Sequence, residues 1–121
     1  MNEQQIKSLI LQFGKRALDD YQNENVVTLT AQRADNYRSL LSGYSALLEE
    51  RLGELEVEKA QRWAEIREKS KSNSDAENLW NATGSGLEYI KLKSLMKAVD
   101  KIRAACKDRL DRLQNESFNR Y

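Results

Sequence analysis

Apolar residues recur every three or four positions along most of this chain, and this spacing predicts three amphipathic helical segments. The first segment spans about residues 3–23. The second begins near Thr30, whose side chain can serve as an N-cap, and continues to about residue 71. The third begins after a Ser-rich turn and ends at about residue 115. The predicted apolar face of the second segment consists of Ala34, Tyr37, Leu41, Tyr44, Leu48, Leu52, Leu55, Trp63 and Ile66.

The other two segments carry similar apolar faces. In the first, Ile6, Leu9, Ile10, Phe13, Leu18 and Tyr21 fall close to one side. In the third, the matching positions are Leu92, Leu95, Val99, Ile102, Cys106, Leu110 and Leu113, which follow a heptad-like step. We expect these faces to form the core, with Cys106 as a small buried residue.

Three short stretches interrupt the helical period. Residues 25–30 are rich in β-branched side chains and predict an extended connector or a lone edge strand. Two capping-box spacings, Ser74 with Glu77 and Ser85 with Glu88, predict helix starts after the Ser-rich turn and within the Gly84–Gly86 interruption.

Two long amphipathic helices joined by a turn favour an all-α fold, a long antiparallel helical hairpin of coiled-coil type with an additional N-terminal helix. We expect one helical domain over residues 1–121, in which 1–29 form the N-terminal helix and connector and 30–121 the hairpin. Both long apolar stripes exceed what one small elongated domain buries, so we also expect a homo-oligomer of unknown subunit number.

The composition excludes several kinds of protein. The 121 residues include no Pro, no His and one Cys, so the chain has no internal disulfide, no His-based metal site and no Ser/His or Cys/His catalytic pair. We therefore expect a non-enzymatic protein without metal or cofactor. Uncharged runs are at most ten residues long, against about 20 apolar residues for a membrane span, and a cytoplasmic setting fits the single Cys.

Charge is segregated although the formal net charge is only +1. Residues 49–58 carry five Glu and one Arg, a net charge of −4. Residues 59–71 carry five basic and two acidic residues, a net charge of +3. Residues 89–112 carry eight basic residues and three Asp, a net charge of +5. Cations beside aromatic rings indicate a surface for single-stranded nucleic acid, because phosphates pair with cations and bases stack on rings.

The candidate contacts fall into two groups. Trp80 and Tyr89 are the candidates for base stacking, whereas Trp63 lies on the apolar stripe and is expected in the core. The candidate phosphate contacts are Lys59, Arg62, Arg67, Lys69, Lys71, Lys91, Lys93, Lys97 and Lys101. Among them Lys93, Lys97 and Lys101 are spaced by four and share one helix face.

A purely structural interpretation competes with this one. If the hairpin folds about residue 78, the acidic stretch 49–58 lies beside 98–107, and the two neutralise each other. The same register places the basic stretch 59–71 against 85–97, which is also basic. Opposed like charges are costly unless an anion binds between them, and this favours a polyanionic partner.

Residues 34–120 resemble a family of small helical phage proteins grouped with the UvsY recombination mediators. The likeness rests on five stretches: Leu52-x-x-Leu55-Glu56-x-x-Lys59-Ala60-x-x-Trp63, Ser74-Asp75-Ala76-Glu77, Trp80-Asn81-Ala82-Thr83, Gly86-Leu87-Glu88 followed by Lys91-Leu92-Lys93, Lys97-Ala98 and Lys101, and the terminal Asn115-Glu116-Ser117-x-Asn119. The Gly84–Gly86 interruption departs from the charged helix expected there.

The resemblance implies an oligomeric, mainly helical mediator without catalytic activity. Such a protein binds single-stranded DNA, competes with a single-strand-binding protein and helps load a RecA-like recombinase; a phage-encoded chain would act in the host cytoplasm. The resemblance also implies DNA contacts near the middle of the chain, here Lys59, Arg62, Arg67, Lys69 and Lys71. The alternative is a helical-hairpin phage protein that acts through a protein partner, as a virion assembly factor or an inhibitor of a host enzyme.

Overall fold

The computed structural model describes residues 1–119 and is 88% helical, with no strand in that range. Helix α1 spans Glu3–Tyr21, α2 spans Ala31–Glu68, α3 spans Asn73–Asn81 and α4 spans Gly84–Asn119. The long helices α2 and α4 pack as the arms of a helical hairpin, and α1 is the additional N-terminal helix. The predicted all-α hairpin is thereby confirmed.

The first two helices begin as their sequences predict. Asn2 caps α1, because its side chain accepts from Gln5 N at 2.8 Å while the Gln5 side chain accepts from Asn2 N at 2.9 Å. Thr30 caps α2, with Arg33 N donating to Thr30 Oγ1 at 3.2 Å. Both helices end two or three residues earlier than the periodicity indicates, at Tyr21 and Glu68.

The connector between α1 and α2 is not a strand. Residues Val26–Thr28 form a short 3₁₀ turn that Asn25 caps by accepting from Val27 N at 3.1 Å. Leu29 follows and is buried in the core. The β-branched run therefore closes a compact turn, since a capped turn satisfies backbone groups that a lone strand would leave unpaired.

Both predicted capping boxes are wrong in position. Helix α3 starts two residues earlier than expected, because Ser72 is the cap and accepts from Asp75 N at 3.1 Å. Helix α4 starts at Gly84, and Thr83 Oγ1 accepts from Gly86 N at 3.0 Å. The two glutamates of the expected boxes instead contact basic residues of α2 across the fold.

Residue contacts group the chain into two units. The first joins Met1–Leu47 to the part of the chain from Lys97 onward, and the second is Leu48–Met96. The prediction of one domain is not tested by this grouping and stays a prediction.

The core of the first unit holds α1 against the N-terminal half of α2. Gly14 is buried directly against the Tyr44 side chain, and the rings of Tyr21 and Tyr37 meet edge to face with centroids 5.5 Å apart. On α4 the buried residues of this unit include Val99 and Cys106, so Cys106 is a core residue as expected.

The core of the second unit forms around the short helix α3. Ile66, Ala76 and Trp80 are buried together, and Trp63 is half-buried against them. The predicted core role of Trp63 is thus confirmed in part.

The predicted apolar faces differ in how deeply they are buried. Eight of the nine positions on α2 are buried, the exception being the half-buried Trp63. On α1 the prediction is wrong for Ile6 and Phe13, whose exposed fractions are 47% and 43%. A helix that packs on one side buries only a narrow stripe, and here the buried positions are Gly14 and Ala17.

Candidate nucleic-acid interface

Three of the predicted DNA-contacting cations within residues 59–71 are matched by carboxylates of the same chain. Lys59 Nζ donates to both carboxylate oxygens of Glu77 at 2.8 Å. Arg62 lies 3.4 Å from Glu58, and Lys69 lies 3.3 Å from Glu65, each one helical turn away. Such exposed pairs contribute little to stability, but they lower the local positive potential.

The other two cations of this stretch have different surroundings. Arg67 holds the turn after α2, since its Nε donates to Asn73 Oδ1 at 2.9 Å and its Nη1 to the Ser70 carbonyl oxygen at 3.1 Å. Lys71 is exposed, and its side chain makes no ion pair with a described residue. Most of this predicted DNA-contacting stretch therefore has structural partners.

The predicted repulsion between two basic stretches is wrong because the bend lies elsewhere. Arg51 contacts Glu88, and Glu58 accepts from Ser85 at 2.8 Å, so the chain reverses near residue 72 rather than 78. Residues 59–71 consequently face α3, which contains Asp75 and Glu77 and no basic residue. The same shift pairs the acidic stretch 49–58 with the start of α4 instead of residues 98–107.

Four of the predicted phosphate contacts, all of them lysines of α4, have no carboxylate partner. In the second unit Lys91 and Lys93 are exposed, and in the first unit Lys97 and Lys101 are exposed. None of them makes an ion pair within residues 1–119. They are the predicted phosphate contacts that the structure leaves available to a ligand.

The two stacking candidates differ sharply. Trp80 is 2% exposed, so its proposed role in base stacking is wrong: the ring fills the core of the second unit. Tyr89 is half-buried and keeps exposed surface. Its hydroxyl donates to Glu56 at 3.0 Å, and Lys93 Nζ lies 5.6 Å from its ring centroid.

A shallow cavity next to Tyr89 belongs to the same unit. It has a volume of about 230 Å³ and is lined by Leu55, Glu56, Lys59, Trp80 and Tyr89. The carboxylate of Glu56 lines it beside the ammonium of Lys59, so the cavity has no excess of positive charge.

The sequence reasoning missed the ion pair that ties α2 to α4 in the second unit. Arg51 Nε and Nη2 donate to the two oxygens of Glu88 at 2.7 Å, and Arg51 Nη1 donates to Glu54 at 2.9 Å. The hydrogen bonds from Arg51 lower the pKa of the Glu88 carboxyl, although its partial burial opposes this. Hydrogen bonds to Glu88 and Glu54 raise the pKa of Arg51.

A group of cations in the first unit was also missed. Arg38 and Ser42 on α2 line a groove with Asp100, Arg103, Ala104 and Lys107 on α4, and its volume is about 210 Å³. Spacing alone shows that Arg103 and Lys107 share a helix face, but only the register of α2 against α4 brings Arg38 to them.

Within residues 1–119 no group of His, Cys, Asp or Glu side chains could hold a metal ion. None of the helices in that range is long and apolar enough to cross a membrane. Comparisons with protein-family models, curated proteins and solved structures found no match to this chain.

Proposed function

We propose that this protein binds single-stranded DNA without sequence preference and acts as a non-enzymatic recombination mediator. The observation that carries the proposal is the set of exposed α4 lysines without carboxylate partners, Lys91, Lys93, Lys97 and Lys101. Cations of this kind pair with backbone phosphates and release counterions, which is the main source of sequence-independent affinity.

The ring of Tyr89 supports the choice of single-stranded over double-stranded DNA. It lies beside Lys93 and keeps exposed surface, so an unpaired base can approach a ring next to a phosphate-binding cation. A duplex keeps its bases stacked inside and gains nothing from such a ring.

The mediator role rests on the resemblance to the UvsY group. A mediator that competes with a single-strand-binding protein and helps load a RecA-like recombinase needs a DNA-binding surface and no catalytic groups. We expect the protein to act as a homo-oligomer in the cytoplasm of the host cell.

The direct test is fluorescence anisotropy of a labelled thymidine oligonucleotide, titrated with the full chain between about 50 mM and about 200 mM salt. The variant replaces Lys93, Lys97 and Lys101 by Ala. The slope of log K against log salt is negative, and each lost phosphate contact reduces its magnitude by about 0.7, so we expect the magnitude to fall by about 2.

A matched control removes equal charge from the paired cations, by replacing Lys59, Arg62 and Lys69 with Ala. We expect this variant to keep most of the wild-type affinity, because its three cations already have carboxylate partners. Equal losses in both variants would mean that total charge alone governs binding. If the wild-type chain does not bind the oligonucleotide at the lowest salt, DNA binding is ruled out.

A protein partner is the second candidate function, and the second unit offers a specific observation in its favour. Four large apolar side chains there are roughly half exposed: Val57 57%, Leu79 43%, Leu87 50% and Ile90 48%. Covering exposed apolar side chains removes apolar surface from water, so they favour association with another protein. A chain that binds no oligonucleotide but forms a salt-insensitive complex with a virion or host protein supports this candidate.

A further inference from the structure

A groove in the first unit carries more positive than negative charge. Its walls are α2 and α4, and its cations are Arg38, Arg103 and Lys107. One carboxylate, that of Asp100, also lines it. The lining side chains therefore carry a net charge of +2, from three cations and one anion. None of the three cations is among the DNA contacts predicted from the sequence.

Asp100 neutralises this group poorly. Its oxygen lies 3.7 Å from Arg103 Nη1, and its side chain is 59% exposed. An exposed pair at this distance interacts weakly, because water screens both charges. The side chains of Arg38 and Lys107 make no ion pair and no hydrogen bond with any residue in 1–119.

Of the three cations, Arg38 has the most side-chain hydrogen-bond donors without a partner. Its guanidinium carries five N–H donors, and the residue is half-buried. Its charge also lowers the pKa of the buried Cys106 thiol, against the larger raising effect of burial. Arg38 therefore lies close to the packed boundary of α2 and α4, where an unmatched cation costs more than on an open surface.

Arg103 is held in place before any ligand arrives. Its Nη1 donates to the Oγ of Ser45 at 3.3 Å, and Ser45 is 3% exposed. This hydrogen bond ties the guanidinium to α2, and Arg103 also lines the groove. The exposed hydroxyl of Ser42, one turn along α2 from Arg38, adds a neutral donor.

We propose that this groove binds a phosphate group, which under the proposed function is one backbone phosphate of single-stranded DNA. Two guanidinium groups and an ammonium meet the several oxygens of a phosphate, and guanidinium forks match them in pairs. The groove volume of about 210 Å³ leaves room for a phosphate group.

The test observes the arginine side chains directly. In nitrogen–proton NMR spectra of the full chain, pyrophosphate and a thymidine oligonucleotide are titrated separately, and the Nε–Hε signals of Arg38 and Arg103 are followed. We expect both signals to shift with either ligand, and the shift of Arg103 to weaken in Arg38→Gln. If neither ligand moves them, the groove is not a phosphate site.

Anisotropy then measures how much the groove contributes to DNA binding. We expect Arg38→Gln to weaken oligonucleotide binding about tenfold and to reduce the magnitude of the slope of log K against log salt by about 0.7. Arg38→Lys keeps the charge but loses the paired donors, so we expect it to restore the slope and only part of the affinity. Lys15→Gln, on the exposed side of α1, is the single-charge control and should leave the affinity and the salt slope nearly unchanged.

The outcomes separate this inference from the proposed function on which it rests. If the α4 lysine variant loses binding while Arg38→Gln matches Lys15→Gln, the groove inference fails and DNA binding stands. If no oligonucleotide binds but pyrophosphate shifts both arginine signals, DNA binding fails and the groove is a site for a free phosphate compound. An oligonucleotide with a neutral methylphosphonate backbone should shift neither signal, and shifts with it would overturn the phosphate assignment.

Discussion

At the scale of single residues, the contact between Gly14 and Tyr44 decides how closely α1 approaches α2. A Cβ added at Gly14 would lie 2.6 Å from Tyr44 Cβ and closer still to the ring, while one added at Gly53 would meet nothing within 4 Å. Both glycines lie inside helices, where Gly costs about 1 kcal/mol relative to Ala. Only Gly14 therefore has a packing reason to remain.

We expect Gly14→Ala to lower the free energy of unfolding by about 1–3 kcal/mol, because the methyl group overpacks the contact with Tyr44. Gly53→Ala is the matched control and should raise it by up to about 1 kcal/mol. Urea unfolding followed by circular dichroism measures both. A Gly14→Ala variant as stable as Gly53→Ala would show that α1 does not pack closely on Tyr44.

The single thiol gives a second residue-scale prediction. Burial raises the pKa of Cys106, and a buried thiol reacts only when the structure opens. With an opening free energy of about 3 kcal/mol, we expect a disulfide reagent to label the native chain about 100-fold more slowly than the urea-unfolded chain. Equal rates would place Cys106 at the surface.

At the scale of elements, the corner between α3 and α4 depends on Gly86. Thr83 Oγ1 donates to the Trp80 carbonyl oxygen at 2.6 Å, and a Cβ at Gly86 would lie 2.8 Å from the Trp80 carbonyl carbon and 2.9 Å from Asn81 Cα. Backbone atoms cannot move aside as a side chain can. The glycine that interrupts the helical pattern in sequence thus permits two helices to meet within a few residues.

We expect Gly86→Ala to destabilise the protein by about 1–3 kcal/mol and to expose Trp80, which shifts its fluorescence to longer wavelength. Gly84→Ala, with nothing within 4 Å of the added Cβ, should leave both nearly unchanged. Trp63 also emits, so both variants are best measured in a Trp63→Phe background. No difference between the two glycine variants would contradict the close approach.

The Arg51–Glu88 ion pair should make the stability of the fold depend on pH. Because Arg51 lowers the pKa of Glu88 below its ordinary value of 4.5, the pair stabilises the fold above that pH. Its contribution is lost as the pH falls through the lower, folded-state pKa. We expect the stability difference between wild type and Glu88→Gln to be constant above pH 4.5 and to shrink in more acidic solution, as measured by thermal unfolding.

Helix starts show why an element can be predicted while its exact boundary is missed. The spacing of Ser74 with Glu77 and of Ser85 with Glu88 fits a capping box, and helices do begin near both. The two glutamates instead accept hydrogen bonds from Lys59 and Arg51, and Ser85 donates to Glu58. Local spacing does not reveal such competition, because the partners are 18 to 37 residues away.

At the scale of the whole molecule, the spacing of apolar residues by three or four positions is enough to predict the all-α hairpin, because α2 keeps its apolar stripe almost unbroken. It does not predict the register, since α3 forms the tip and moves the reversal from residue 78 to about residue 72. That shift of a few residues replaces a repulsive juxtaposition by the Lys59–Glu77 pair. The groove at Arg38 depends in turn on how α2 packs against α4 within the first unit, which no local motif marks.

Assembly is the remaining whole-molecule prediction. Large apolar side chains on α1 and α2 stay exposed, including Ile6 at 47% and Val57 at 57%, and we expect copies of the chain to bury some of them. Light scattering after size exclusion should give a mass that is a multiple of 14.0 kDa. A mass of 14.0 kDa at all concentrations would contradict a homo-oligomer.

The close approach at the corner between α3 and α4 also limits how this sequence can diverge. Every amino acid other than glycine adds a Cβ, and at position 86 that atom meets main chain rather than a movable side chain. Position 84, two residues away, has open space around an added Cβ and can accept other amino acids. Descendants of this gene that preserve the corner should therefore vary at one glycine and retain the other.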